Sequence, residues 1–238
     1  MQKTNITKIR EIAITFAYLP IERNKKTPIL VSHPFLDTAT AIPFKDGQEM
    51  INVLDGDGEE RFRASIVDRL KRINKLTGFL LLLNKSYRFS FLGHIQSYLS
   101  NDDLGMCLRY IWEDSEYTNS GSVFTKKQLI SLFNRSSKNT LMDEDELPAF
   151  QELPERIIVG TTSINCGDLR VFSWTLSRKK AEWYSQRFND DIQNIFQTEL
   201  PKDGVLAYFS TDEEIIADPY KLDSVYTRGR DCDRMEAS

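Results

Sequence analysis

A change in hydrophobic period divides this chain and limits the folds open to it. From Phe62, apolar residues recur at helical spacing: Ile66, Leu70, Ile73 and Leu76 follow at intervals of 4, 4, 3 and 3, which puts them on one face of a helix. Leu104, Leu108, Ile111 and Trp112 repeat the pattern. So do Leu129, Ile130, Leu132 and Phe133, with Thr125 and Gln128 in capping-box positions just ahead. After Leu141–Pro148 the runs are short and strand-like: Ile157–Val159, Leu169–Phe172, Asn194–Leu200, Val205–Phe209 and Glu214–Ala217, the last closed by Pro219. Between the second and third of them, Ser177 opens a helix with Ala181, Tyr184 and Phe188 on one face. A helical part followed by a strand-rich part predicts an α+β fold. The segments are a mixed stretch over 1–58, a mainly helical region over 59–150, a β-rich core over 151–228 and a tail over 229–238, with a hinge near 148–153. In the first stretch the run Ile12–Leu19 reads as a buried strand, and Gly56-Asp57-Gly58 marks a turn.

Charge and cysteine usage narrow the function classes. The chain carries 31 Lys and Arg against 35 Asp and Glu, a net charge of −4, and 40% of it is apolar, enough to supply a core. A mildly acidic chain has no global electrostatic reason to seek nucleic acid or anionic lipid. The longest purely apolar run, Phe79–Leu83, is far below the roughly 20 residues that span a bilayer. Glu11 before the run Ile12–Leu19, and Pro20-Ile21-Glu22-Arg23 after it, do not suit a secretory leader. Cys107, Cys166 and Cys232 are odd in number and widely spaced, so neither a disulfide framework nor a zinc site follows. A cytoplasmic protein is expected.

Familiar catalytic motifs are missing: there is no GxSxG, no GxxxxGK[ST], no HExxH and no GxGxxG after a strand. Cys107 reads as a small core residue on a helix, His94 as a partly buried imidazole with its hydrogen bonds satisfied, and His33 before Pro34 as a loop residue. The acidic run Asp143–Glu146 and the basic cluster Arg178-Lys179-Lys180 read as solvated faces. One pair stands out. Asp212 and Glu214 are separated by two, so a strand beginning by 212 would project both from one face, with Glu213 on the other. Two acids so placed could orient hydroxyl groups or stabilise a developing cation; an acidic hairpin turn is the plain alternative.

The string FSWTLSRKKAEWYSQRF (172–188) resembles the second signature of a family of bacterial and phage proteins with an ADP-ribosyltransferase-like fold. In that family a strand ending in Ser-Trp-Thr leads into a helix with Ala-x-Trp/Phe-Phe/Tyr-Ala and Arg-Phe. Further pieces fall in the same order: Leu141-Met142, Leu153-Pro154 before a strand and a glycine, then Val205-Leu206-Ala207-Tyr208 and Glu214-Ile215-Ile216-Ala217-Asp218-Pro219. The resemblance covers roughly 85–225 and is sharpest over 153–219.

After the mainly helical N-terminal region, the resemblance implies a split β-sandwich of two small sheets that holds NAD in its cleft. It implies an enzyme that transfers ADP-ribose from NAD to a bacterial target, and a phage or mobile-element protein at work in the cytoplasm of a bacterial host. Breaking the N-glycosidic bond creates an oxocarbenium-like cation, so a fixed carboxylate beside it favours the transition state. Carried over by motif, Glu214 is the catalytic glutamate and Asp212 its partner acid, while Ser173, Trp174, Thr175 and Gly160 line the cofactor; Arg170, on the next expected strand, is a neighbour that could reach across to it. The first motif departs from the family's Tyr-Arg-Gly: here it reads Ile158-Val159-Gly160. Losing a charge-assisted bidentate contact costs roughly a few kcal/mol, enough to turn micromolar binding into millimolar. The family's arginine ahead of the glutamate motif is also replaced, by Ser210-Thr211. The alternative is therefore an inactive member of the fold that binds and inhibits a host protein or sequesters a nucleotide. A nucleic-acid module rests only on Arg178-Lys179-Lys180 and nearby aromatics.

Overall fold

The apolar run near the N-terminus is a helix, not a strand. The computed structural model describes residues 3–114, 123–162, 170–188, 195–223 and 226–227. In it α1 (Ile6–Ala17) starts where the Asn5 side chain accepts from the Lys8 backbone N–H at 3.0 Å. Ile9, Ala13, Phe16 and Ala17 are buried on one face. A short apolar run suits a buried strand and a buried helix alike; the helical spacing, which begins upstream of the run at Ile9, decides between them.

The chain divides into two compact units, residues 1–103 with 113–115, and residues 104–112 with 116–238. The division differs from the hinge near 148–153, because the later helices group with the sheet. In the first unit β1 (Glu22–Arg23), β2 (Leu30–His33) and β3 (Leu36–Ala39) form an antiparallel sheet, and β4 (Ala41–Phe44) pairs with β5 (Glu49–Asn52). The link between β4 and β5 needs left-handed backbone at Lys45, Asp46 and Gly47. Three helices follow: α2 (Gly56–Arg72), α3 (Leu76–Leu82) and α4 (Lys85–Ile95). Gly56-Asp57-Gly58, read as a turn, is the first turn of α2. A Cβ on Gly58 would lie 2.0 Å from the Asn52 carbonyl oxygen, so only glycine lets the helix approach β5.

His33 is not a loop residue. It ends β2 fully buried, its ring edge-on to Phe62 at 5.3 Å, and its Nδ1 accepts the Phe35 backbone N–H at 3.2 Å. His94 departs the other way: it is exposed on α4, edge-on to Phe16.

In the second unit Leu104, Leu108, Ile111 and Trp112 are the buried face of α5 (Asn101–Glu113). Cys107 on the same helix is buried core. The capping box at Thr125 and Gln128 is formed at the start of α6 (Lys126–Arg135), and α7 (Lys138–Leu141) and α8 (Glu146–Glu152) follow. The strands are β6 (Arg156–Thr162), β7 (Ser173–Thr175), β8 (Ile195–Pro201), β9 (Val205–Phe209), β10 (Glu214–Ala217) and β11 (Tyr226–Thr227); α9 (Arg178–Phe188) lies between β7 and β8. The six strands form one antiparallel sheet of order β11-β8-β6-β7-β10-β9. Among the described residues its halves, β11-β8-β6 and β7-β10-β9, meet in one register pair, Gly160 with Thr175. The chain is thus α+β. Residues 229–238, and Cys166 and Cys232 with them, lie outside the described residues.

The edge strand β9 is blocked by one segment of chain. Lys138 donates to the Leu206 carbonyl, Met142 Sδ accepts the Tyr208 N–H at 3.4 Å, and Glu146 Oε1 accepts the Ser210 N–H at 2.7 Å. Side chains four residues apart therefore serve outward-facing backbone groups two residues apart, which removes the open edge as a template for further pairing. Burial pushes the Lys138 ammonium down to about 8.

The first unit carries a pH-dependent term. Burial, and then the charge of Arg63, lower the His33 imidazole to about 4 from its ordinary 6.5. The unfolded chain therefore takes up this proton at a pH where the folded one does not. The contribution is complete above about pH 6.5 and is lost progressively as pH falls toward 4, by about 3 kcal/mol in all. His33→Asn keeps an acceptor for Phe35 and removes the titration. The drop in urea midpoint between pH 7.5 and 4.5 should shrink in this variant; an unchanged drop would place its source elsewhere.

Candidate functional site

Strand alternation sorts β7 into a core residue and two site residues. Trp174 is 1% exposed and packs with Ile157, Val159, Leu200 and Ile215, its indole N–H donating to the Val171 carbonyl at 2.9 Å. Trp174 is thus core, where the sequence placed it on the cofactor. Ser173 and Thr175 point to the opposite face. Across the ladder Glu214 stands opposite Thr175, Ile215 opposite Trp174 and Ile216 opposite Ser173. Glu214 therefore shares a face with Ser173 and Thr175.

Two donors meet the Glu214 carboxylate at one oxygen. Ser173 Oγ donates to its Oε1, and Trp112 Nε1 donates to the same oxygen at 3.2 Å. Trp112 is 2% exposed and sits edge-on to Phe133 at 5.3 Å and to Phe172 at 6.2 Å, so its indole cannot swing away without opening that aromatic cluster. Thr175 braces the start of the strand: its Oγ1 donates to the Asp212 carbonyl at 3.1 Å and accepts the Ser177 N–H at 3.0 Å. Ser177 then opens α9, its Oγ accepting from the Lys180 N–H at 3.4 Å.

Asp212 does not extend the strand. β10 begins at Glu214, and Glu213 adopts a left-handed φ of 49°. That turn breaks the alternation which would have put both acids on one face. The Asp212 carboxylate lies 3.7 Å from Lys180 Nζ, which also donates to the Thr211 carbonyl at 2.6 Å. A plain acidic turn, braced by a lysine, is what forms.

Gly160 is at the junction of the two half-sheets, where a Cβ would meet Ala181 of α9 at 3.6 Å. Val159, where the resemblance calls for an arginine, is 1% exposed inside the apolar cluster. Register places Gly160 on the Glu214 face and so Val159 on the other. Arg156 is on the Glu214 face of β6 but is held by Glu199 at 3.1 Å and by Asp223. Arg170 is exposed, three residues before Ser173.

Two site residues were beyond sequence reasoning. Trp112 looked like one more apolar residue of α5; the only hint was that a buried indole N–H needs an acceptor. Glu146 looked like part of a solvated acidic run and is instead fully buried. Burial pushes its carboxyl up, but hydrogen bonds from Arg109 and from the Asp143 and Ser210 backbone N–H groups outweigh that and hold it below the usual carboxylate range.

Among the described residues no group of three or more His, Cys, Asp or Glu is placed to hold a metal ion. No helix among them is long and apolar enough to cross a membrane. In comparisons with protein-family models, curated proteins and solved structures, the chain matches none.

The two faces of β6 make opposite demands. Val159→Arg buries an unpaired charge and should cost more than about 3 kcal/mol. Ile158→Arg, at a position 58% exposed, should change stability by within about 0.5 kcal/mol. Urea denaturation of both variants checks this; a Val159→Arg protein as stable as the parent would mean that residue 159 does not face the core.

Proposed function

We propose that this chain is an ADP-ribosyltransferase-like protein that takes NAD, or a related nucleotide, against the β7–β10 face. Glu214 is its stabilising acid. The observation that carries this reading is the bond from Ser173 of β7 to the Glu214 carboxylate on β10, backed by the Trp112 indole. The resemblance calls for a serine strand bracing a glutamate, and adjacent strands bring these two together. Two half-sheets meeting in one register pair also suit a split sandwich.

In the proposed reaction the bond between nicotinamide and ribose breaks with its electron pair leaving on nicotinamide, and C1′ of the ribose becomes cationic. Glu214, fixed in advance by Ser173 and Trp112, offsets that charge without having to reorganise. A nucleophile, either water or a side chain of a bacterial target, then supplies the electron pair that forms the new bond to C1′ and loses its proton to solvent. Thr175, Gly160 and Arg170 would border the nucleotide.

A second reading is a protein of the same fold that binds without reacting, by inhibiting a host protein or sequestering a nucleotide. The specific observation in its favour is Val159: the position that should hold the dinucleotide's charge is apolar core, and Arg156 is already paired.

Nicotinamide release from NAD, with and without bacterial lysate, separates the two. On the first reading the parent protein releases nicotinamide and Glu214→Gln lowers the rate by about a hundredfold or more. Absence of release gives the second reading; a melting temperature that NAD still raises then marks nucleotide sequestration, and one that NAD leaves unchanged marks inhibition of a host protein.

A further inference from the structure

We infer that Glu146 is a positioning residue for Glu214. The two are not joined directly. Glu146 acts on two of the supports behind the Glu214 carboxylate: the turn before β10 and the helix that carries Trp112.

The first support is the turn. Glu146 Oε1 accepts the Ser210 N–H at 2.7 Å and the Ser210 hydroxyl at 3.0 Å. Ser210 opens the turn through Glu213 that delivers Glu214 into β10, and the Glu213 N–H closes it on the Ser210 carbonyl at 3.1 Å. With Glu213 in left-handed backbone, the turn is held in a conformation that a non-glycine residue does not favour, so an anchor at its first residue bears on where Glu214 emerges. The second support is α5. Arg109 grips Glu146 through both terminal guanidinium nitrogens and also pairs with Asp143 at 2.8 Å. Arg109 is three residues before Trp112, hence on the same side of the helix, so the grip on Arg109 sets the rotation and depth from which the Trp112 indole reaches Glu214. Both supports converge on one carboxylate that is fully buried.

The chain's three tryptophans give a readout that needs no ligand. In a ¹H–¹⁵N spectrum of the full chain, loss of one indole peak in Trp112→Phe assigns Trp112, and Glu214→Gln then shows how that peak responds when its acceptor weakens. Glu146→Gln should move the Trp112 peak upfield, in the same direction as Glu214→Gln. Should Glu146→Gln not fold, Ser210→Ala removes only the hydroxyl bond and should give a smaller shift in the same direction. A folded Glu146→Gln or Ser210→Ala protein whose Trp112 peak stays in place overturns the inference, even if its melting temperature falls. The effect on catalysis rests on the function proposed above: kcat for nicotinamide release should fall about tenfold or more in Glu146→Gln with KM little changed. If the parent protein releases no nicotinamide, that function fails while the spectrum still decides the role of Glu146.

Discussion

The second unit is organised around a carboxylate that has been taken out of water. A buried charge is tolerated only when its attraction and hydrogen bonds offset the lost hydration. Glu146 meets that condition with partners from three places: Arg109 on α5, the Asp143 N–H at the start of its own turn, and Ser210 between β9 and β10. Because removing any of these leaves polar groups buried and unpaired, the three segments cannot shift independently. The same carboxylate is the last of three side chains that close the edge of β9. One buried charge thus both ends the sheet and fixes the point from which β10 starts.

From that start, the alternation of β10 and β7 does the rest. Ile215 and Trp174 are directed into the apolar cluster, and Glu214 and Ser173 to the other face. The core residues between them fix the spacing of the polar pair, so the Ser173–Glu214 bond follows from packing on the far side of the sheet. Val159 belongs to that far side. Its apolar nature is thus a requirement of this core.

Much of this was legible in the sequence where local chemistry decides. The Thr125–Gln128 capping box, the helix opened by Ser177 and the strands Val205–Phe209 and Glu214–Ala217 all stand where spacing put them. What could not be read depends on distant partners. A buried glutamate and a solvated one look alike until Arg109, 37 residues away, is seen to meet it. Trp112 is 102 residues from Glu214, and no periodicity shows which face of a helix will find an acceptor. Asp212 failed for a local reason that spacing does not reveal, the left-handed Glu213. The run Ile12–Leu19 failed because length alone does not separate a buried helix from a buried strand.

On the function proposed, the Glu214 face, with Ser173 and Trp112 behind it, receives a nucleotide. The most direct test is a titration of the full chain with NAD while the tryptophan indole signals are followed by ¹H–¹⁵N spectroscopy. The Trp112 signal, bonded to Glu214, should move in a saturable way, and the signal of Trp183, exposed on α9, should serve as the reference that does not. A Trp112 signal unmoved at millimolar NAD would contradict the claim and leave Glu214 as a structural acid of the sheet.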